Sequence, residues 1–396
     1  MFCPQITDAF DYDENLIEVT KYDVLGSLPN PFLMENGEIA DTPQKWEQRR
    51  REIYKTAVEL QYGTIPPKPE VFEVETLYGM SNSESPFQQA NSYKITAGTR
   101  EKQLSFYMKV IRPKSETPCP VVVNGDMCFL YHFNPEYLDV FRNNKIAFAT
   151  FDRTLLAHDI NNEGRSKGAL YDIYPEYTFG AVGAWAWGYM RCVDALEVLG
   201  IDDMNLIAFS GHSRGGKTAM LAGALDERAA VVAPNSTCAG GCGCYRIHLS
   251  AITEGGSERS SETLDDIIRQ FPFWFSEELA EYRNKEEELP FDSHFLKALV
   301  APRALVVTES ASDIWANPVG SYMTTMGAKE VYKMLGAEDK LFWSFRKGYH
   351  FHKIEDIEML ANVISVLRDG APVSERFFKT PFKRPEPIFD WKNPNE

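Results

Sequence analysis

The sequence predicts an α/β protein with a doubly wound, mostly parallel sheet and helices on both faces, a three-layer α/β/α sandwich. Three observations predict it. Short apolar runs such as Val121-Val122-Val123 and Ala304-Leu305-Val306-Val307 end at glycine or polar loops, the pattern of strands covered on both faces. Helical stretches alternate with these runs, as parallel sheets require. Finally, Gly211-His212-Ser213-Arg214-Gly215 lies between a strand-like run, Met204 to Phe209, and a helix-like run, Gly216 to Leu225.

The elements follow in order. Residues 1–40 show no clear period and read as an irregular lead-in to a single catalytic domain, 41–396. A charged helix runs from Pro43 to Leu60, anchored by Trp46, Ile53 and Leu60. It stops before Thr64-Ile65-Pro66-Pro67-Lys68-Pro69, since successive prolines cannot continue it. Val71–Tyr78 is an antiparallel strand, and Asn91–Val110 a hairpin turning through Gly98. Parallel strands are expected at 121–123, 146–150, 206–209, 229–233, 304–308 and 341–345. A long helix covers Trp185–Leu199 and a last one Asp356–Leu367. The acidic run Glu286-Glu287-Glu288 is expected on a solvated surface.

The chain has 396 residues, 44% of them hydrophobic, enough for a sizeable core. A net charge of -16 argues against a nucleic-acid partner, and no apolar segment is long enough to span a bilayer. The start, Met1-Phe2-Cys3-Pro4-Gln5, lacks the basic and apolar regions of a secretory signal. The expectation is a cytoplasmic protein if that start is native, and a secreted or periplasmic one if a leader was removed. Seven cysteines at low density make no disulfide scaffold. Cys238, Cys242 and Cys244 cluster in a Gly-rich loop, but no further cysteine pair completes a four-ligand zinc site. They read as a packed or disulfide-capable loop, and no metal or cofactor is expected.

Strand, G-x-S-x-G and helix together form a tight elbow that exposes the serine hydroxyl as a nucleophile. Ser213 then needs an imidazole to take its proton and a carboxylate to orient that imidazole. The loop after 341–345 offers both His350 and His352, and spacing does not choose between them. Their H-x-H spacing holds two metal ligands at most, with no evident third. After 304–308 the acid is Asp313, whose loop has the reach, with Glu309 at the strand end in reserve. The Arg214 backbone N–H is placed to stabilise an oxyanion at the helix start. A second donor is expected from Asn124-Gly125-Asp126-Met127. The Arg214 guanidinium either adds charge there or pairs with a neighbouring carboxylate.

These residues resemble the glucuronoyl esterases of carbohydrate esterase family fifteen, whose elbow reads G-C-S-R-x-G-K-[GT]-A. Here Gly211-His212-Ser213-Arg214-Gly215-Gly216-Lys217-Thr218-Ala219 is similar, as are Gly240-Gly241-Cys242-Gly243-Cys244-Tyr245-Arg246, His294-Phe295-Leu296-Lys297-Ala298-Leu299-Val300-Ala301-Pro302-Arg303 and Gly348-Tyr349-His350-Phe351-His352. The resemblance spans nearly the whole chain. It implies an α/β-hydrolase fold and metal-free hydrolysis of 4-O-methylglucuronoyl esters linking xylan to lignin alcohols. By that resemblance Ser213 is the nucleophile, His352 the base, and Arg214 part of the oxyanion hole. Lys217, Glu262, Trp315 and His350 would line the sugar site.

Two departures stand out. The family's P-x-E-S acid position is Pro234-Asn235-Ser236-Thr237 here, which leaves the carboxylate to Asp313, as in other bacterial members. The elbow cysteine, disulfide-bonded in fungal members, is His212, and Lys353 stands just past the expected base. An acetyl xylan esterase-like deacetylase and a non-catalytic carbohydrate-binding relative are the other readings. Oligomeric state is not legible.

Overall fold

A computed structural model describes residues 21–81, 87–130, 134–160, 167–200, 202–252 and 258–396. Residues 1–20 of the expected lead-in, with Cys3, lie outside the described residues.

Among those described, twelve strands occur in chain order: β1 (Lys21–Val24), β2 (Val71–Ser81), β3 (Phe87–Gly98), β4 (Gln103–Pro113), β5 (Val121–Asn124), β6 (Ala147–Phe151), β7 (Ile207–His212), β8 (Ala229–Asn235), β9 (Ile247–Ile252), β10 (Glu258–Ser260), β11 (Ala304–Ser310) and β12 (Leu341–Arg346). Nine form one sheet in the order β12-β11-β8-β7-β5-β6-β4-β3-β2. From β12 to β6 the pairings are parallel, and β4, β3 and β2 continue the sheet antiparallel. The β3–β4 turn closes at Thr99–Lys102, directly after Gly98.

Alternation along the parallel strands explains the layers. Val121, Val123, Ile207, Phe209, Leu305 and Val307 bury one face under the helices Ala181–Leu199 and Arg214–Leu225. Val122, Ala208, Val231 and Val306 bury the other, against Phe141 of the helix Pro135–Asn143 and Leu360 of the helix Ile354–Asp369. The sequence reading had not resolved the Pro135–Asn143 helix. β5 leads to β6 on one side and β7 leads to β8 on the other, so the crevice at the carboxyl ends of β5 and β7 is the topological switch point.

Part of the expected lead-in is built into this core. β1 pairs antiparallel with β9, which also pairs with β10. Leu28, Phe32 and Met34 are buried, and Leu28 accepts the Trp391 indole N–H at 2.9 Å. The first helix runs Pro43–Ile53 and continues through a π-helical stretch, Tyr54–Glu59, to Tyr62. The acidic run departs from expectation: Glu287 and Glu288 are exposed, but Glu286 is buried beside His248, and burial pushes its carboxyl up. No described helix is long and apolar enough to cross a membrane.

Candidate active site

β7 delivers Ser213 to the switch point in a left-handed conformation, φ 55° and ψ -121°, which costs on the order of 1–3 kcal/mol in a non-glycine residue. Two backbone bonds hold it there: Ser213 N–H donates to Asn235 O at 2.9 Å, and Ser213 O accepts Lys217 N–H at 2.9 Å. The flanking glycines allow the close approach. A Cβ on Gly211 would collide with the Gly215 carbonyl, and one on Gly215 with the Asp126 carboxylate.

His350 meets this serine. Its Nε2 lies 2.9 Å from Ser213 Oγ, and its Nδ1 lies 2.6 Å from Asp313 Oδ2. A carboxylate only accepts, so Nδ1 carries the proton and Nε2 faces the hydroxyl as acceptor. Asp313 is buried, and its Oδ1 also accepts Ala316 N–H at 3.3 Å. One carboxylate therefore caps the turn Ile314–Ala316 and orients the imidazole.

The base expected from the resemblance, His352, is not the histidine at the serine. Its ring is buried, stacked on His212 at 5.6 Å and 16°, and 6.4 Å from Tyr137. The physical reason is the loop's path. Gly348 turns the chain with φ 113°, presenting residue 350 to the elbow. Helix Ile354–Asp369 starts soon after, with Lys353 N–H bonded to Asp356 Oδ2 at 2.9 Å, and residue 352 is drawn inward. Glu309, the reserve acid, is fully buried; its Oε1 accepts the Ser321 hydroxyl at 3.0 Å, while Asp313 occupies the imidazole.

A polar and aromatic wall adjoins the elbow. Lys217 Nζ pairs with Glu262 Oε2 at 3.2 Å and donates to Thr237 O, with both charged side chains buried. Burial pushes the Glu262 carboxyl up, and Lys217 opposes that shift. Glu262 N–H donates to Trp315 O at 3.0 Å, joining this pair to a cleft of about 430 Å³ lined by Arg259, Ser312, Asp313, Trp315, Tyr349 and His350. Arg214 lies over Trp274 at 4.6 Å and Phe271 at 5.0 Å, and its Nη1 donates to Asp159 at 3.2 and 3.1 Å.

The chain as a whole has known relatives. A family profile for glucuronyl esterases of fungi matches residues 95–336. The chain belongs to the glucuronoyl esterase family. It is 32% identical over 81% of its length to a 4-O-methyl-glucuronoyl methylesterase of Podospora anserina and 31% identical over 82% to one of Hypocrea jecorina. It spans 63% and 65% of those two proteins. Its fold matches a family 15 glucuronoyl esterase from Caldicellulosiruptor kristjansonii, with TM-score 0.77 and 28% identity, covering 96% of this chain and 99% of that one. A mutant glucuronoyl esterase from Sporotrichum thermophile, solved with methyl 4-O-methyl-β-D-glucopyranuronate, matches with TM-score 0.70 and 27% identity, covering 89% and 91%. These matches make the fold an α/β-hydrolase.

Against the expectation of a second oxyanion donor from residues 124–127, the loop after β5 spends two of its amides internally. Gly125 N–H donates to the Tyr189 hydroxyl at 2.8 Å, and Asp126 N–H to Asn124 Oδ1 at 2.7 Å. Neither is left for an oxyanion. The disulfide that the resemblance implies for fungal members has no equivalent among the described residues: His212 stands in the elbow cysteine's place, and the residue just past His350 is Phe351. Cys238, Cys242 and Cys244 are buried free thiols, pushed up by burial.

The sequence reading missed Asp159 and Trp274, and it named Asp126 and Asn235 without their bonds to His212. Asp159 lies 55 residues from its partner Arg214, and no local spacing announces such a pair. Trp274 had a fainter signal, as an aromatic within Phe271-Pro272-Phe273-Trp274-Phe275.

Proposed function

We propose that this glucuronoyl esterase hydrolyses 4-O-methylglucuronoyl esters carried on xylan or xylo-oligosaccharides, through an acyl-enzyme on Ser213. The observation that carries the reading is the Ser213–His350–Asp313 relay beside the buried Lys217–Glu262 pair. In a uronoyl ester the reacting carbonyl is attached to the sugar ring itself, so groups that bind the ring must adjoin the nucleophile. Lys217 is four residues from Ser213, one helical turn away. An acetyl ester imposes no such requirement.

Ser213 Oγ attacks the carbonyl carbon while His350 Nε2 takes its proton, and Asp313 stabilises the resulting imidazolium. The oxyanion develops beside the Arg214 N–H, at the positive end of helix Arg214–Leu225. The Arg214 guanidinium takes the other of its two expected roles, paired with Asp159 over Trp274 and Phe271. The ester C–O bond breaks and the alcohol leaves with the proton from His350. Water then gives a proton to His350 and its hydroxyl to the acyl carbon, releasing the uronic acid and Ser213. Lys217, Glu262 and Trp315 bind the sugar ring.

The test compares hydrolysis of a benzyl 4-O-methylglucuronate ester with deacetylation of acetylated xylo-oligosaccharides, alongside Ser213→Ala. Uronate-ester turnover that vanishes in the variant is expected. Faster deacetylation would overturn the substrate, and turnover surviving the substitution would overturn the mechanism.

A further inference from the structure

Resting on that reading, we propose that His212 is a positioning residue, holding the loop that carries His350 against the elbow through a packed cluster of three imidazoles. The residue just before the nucleophile in an elbow sequence needs no particular chemistry to make the turn. Here it is an aromatic ring with contacts on several sides.

The anchor comes first. His212 Nδ1 lies 2.6 Å from Asn235 Oδ1. The Asn235 amide nitrogen donates to Thr308 O at 3.1 Å and to its Oγ1 at 2.8 Å, so its oxygen is the end facing His212. An amide oxygen only accepts, so His212 carries its proton on Nδ1. The carboxyl ends of β7, β8 and β11 are thereby joined side chain to side chain. Below the ring, His212 N–H donates to Asp126 Oδ2 at 3.0 Å, which fixes the backbone as well.

On this anchored ring sit both histidines of the loop after β12. His350 lies 4.8 Å away, ring centre to ring centre, tilted by 46°, and His352 stacks at 5.6 Å and 16°. Tyr137 closes the far side by donating its hydroxyl to the His352 carbonyl. Asp313 and Ser213 each fix one ring nitrogen of His350, which leaves the ring free to rock about the line through its two bonds. His212 supplies the wall that opposes this motion. Burial and the neighbouring histidines hold its pKa far below the usual imidazole value, so it stays neutral beside the imidazolium that forms during turnover. Where fungal relatives are expected to tie this loop to the elbow covalently, packing does the same task here.

The experiment measures kcat, KM and melting temperature for His212→Ala, together with the low-field proton resonance of the His350–Asp313 bond. Positioning predicts a kcat lower by about tenfold or more and a KM within about twofold, as small misplacements of catalytic groups lower rate steeply. It also predicts a broadened low-field proton in a folded protein. Wild-type kcat with an unbroadened resonance in folded His212→Ala overturns the proposal. If that variant fails to fold, Asn235→Ala is read instead, because it leaves the ring but removes its anchor. A lowered kcat at constant KM then supports the proposal, and unchanged kcat overturns it. Failure of the functional reading looks different, since the wild-type protein itself would then be inactive on the uronate ester.

Discussion

Asp159 grips Arg214, its two carboxylate oxygens lying 3.2 and 3.1 Å from Nη1, and also accepts the Trp274 indole N–H at 3.0 Å. Arg153 approaches the same carboxylate at 3.5 Å and pairs with Asp126 behind the elbow. The Arg214 guanidinium is therefore aimed by an ionic chain that runs from partly buried Asp159 back to fully buried Arg153 and Asp126. Asp159→Asn keeps the size but weakens the grip. It is expected to lower kcat/KM by about 10- to 100-fold, the scale for a catalytic group displaced by about 1 Å. Steady-state kinetics on the benzyl ester check this, with circular dichroism to confirm the fold.

The two loop histidines separate cleanly. His350→Ala removes the group bonded to both Ser213 and Asp313 and is expected to lower kcat by on the order of 10⁴. His352→Ala removes a packing partner and is expected to cost about tenfold or less. The reverse ranking would restore His352 as the base.

Breaking the Lys217–Glu262 pair from one side leaves a buried charge uncompensated, at a typical cost of 3–5 kcal/mol. Lys217→Met is expected near the lower end of that range, because the Glu262 carboxyl, already pushed up by burial, can take a proton instead. The double variant Lys217→Met/Glu262→Gln should regain part of the stability in urea unfolding. It should still bind the ester poorly.

Glu309 makes stability fall with rising pH. Burial first, then Asp313, pushes its carboxyl up to about 8 from 4.5, so the folded state keeps a proton that the unfolded chain releases. Between pH 4.5 and 8 the native state loses ground progressively, and above 8 the loss is complete. At 1.36 kcal/mol per pH unit the whole effect is at most a few kcal/mol. Glu309→Gln is expected to match wild type near pH 5 and to exceed it at pH 8 in chemical denaturation.

His294 acts at the acid end. Its pKa is lowered to about 4 by burial, and its ring nitrogen Nε2 lies 2.8 Å from the Pro29 carbonyl while the ring stacks on Trp391. The neutral form is the native one. Its contribution is present above pH 6.5 and is lost as pH falls toward 4, roughly 3 kcal/mol in all. His294→Gln should flatten that part of the acid unfolding curve.

Much of this molecule was legible in the chain. Apolar runs with glycine or polar ends marked the six parallel strands found among the described residues, and the elbow stood between a strand and a helix where Ser213 is found. Asp313 was favoured over Glu309 on loop reach, and it is the carboxylate at the imidazole. Spacing left His350 and His352 open because both lie on one short loop with identical chemistry; the resemblance pointed to His352, whereas His350 is the ring bonded to Ser213 and Asp313.

Periodicity, turn residues and the elbow therefore determined the layered sheet and the serine's place on it, because these depend on contacts between residues near in sequence. Which imidazole faces the serine, which carboxylate aims Arg214, and that Glu286 is buried were decided only by tertiary structure. Those outcomes depend on where distant segments meet, on one glycine's turn at 348, and on how much water the assembled core leaves around each charge.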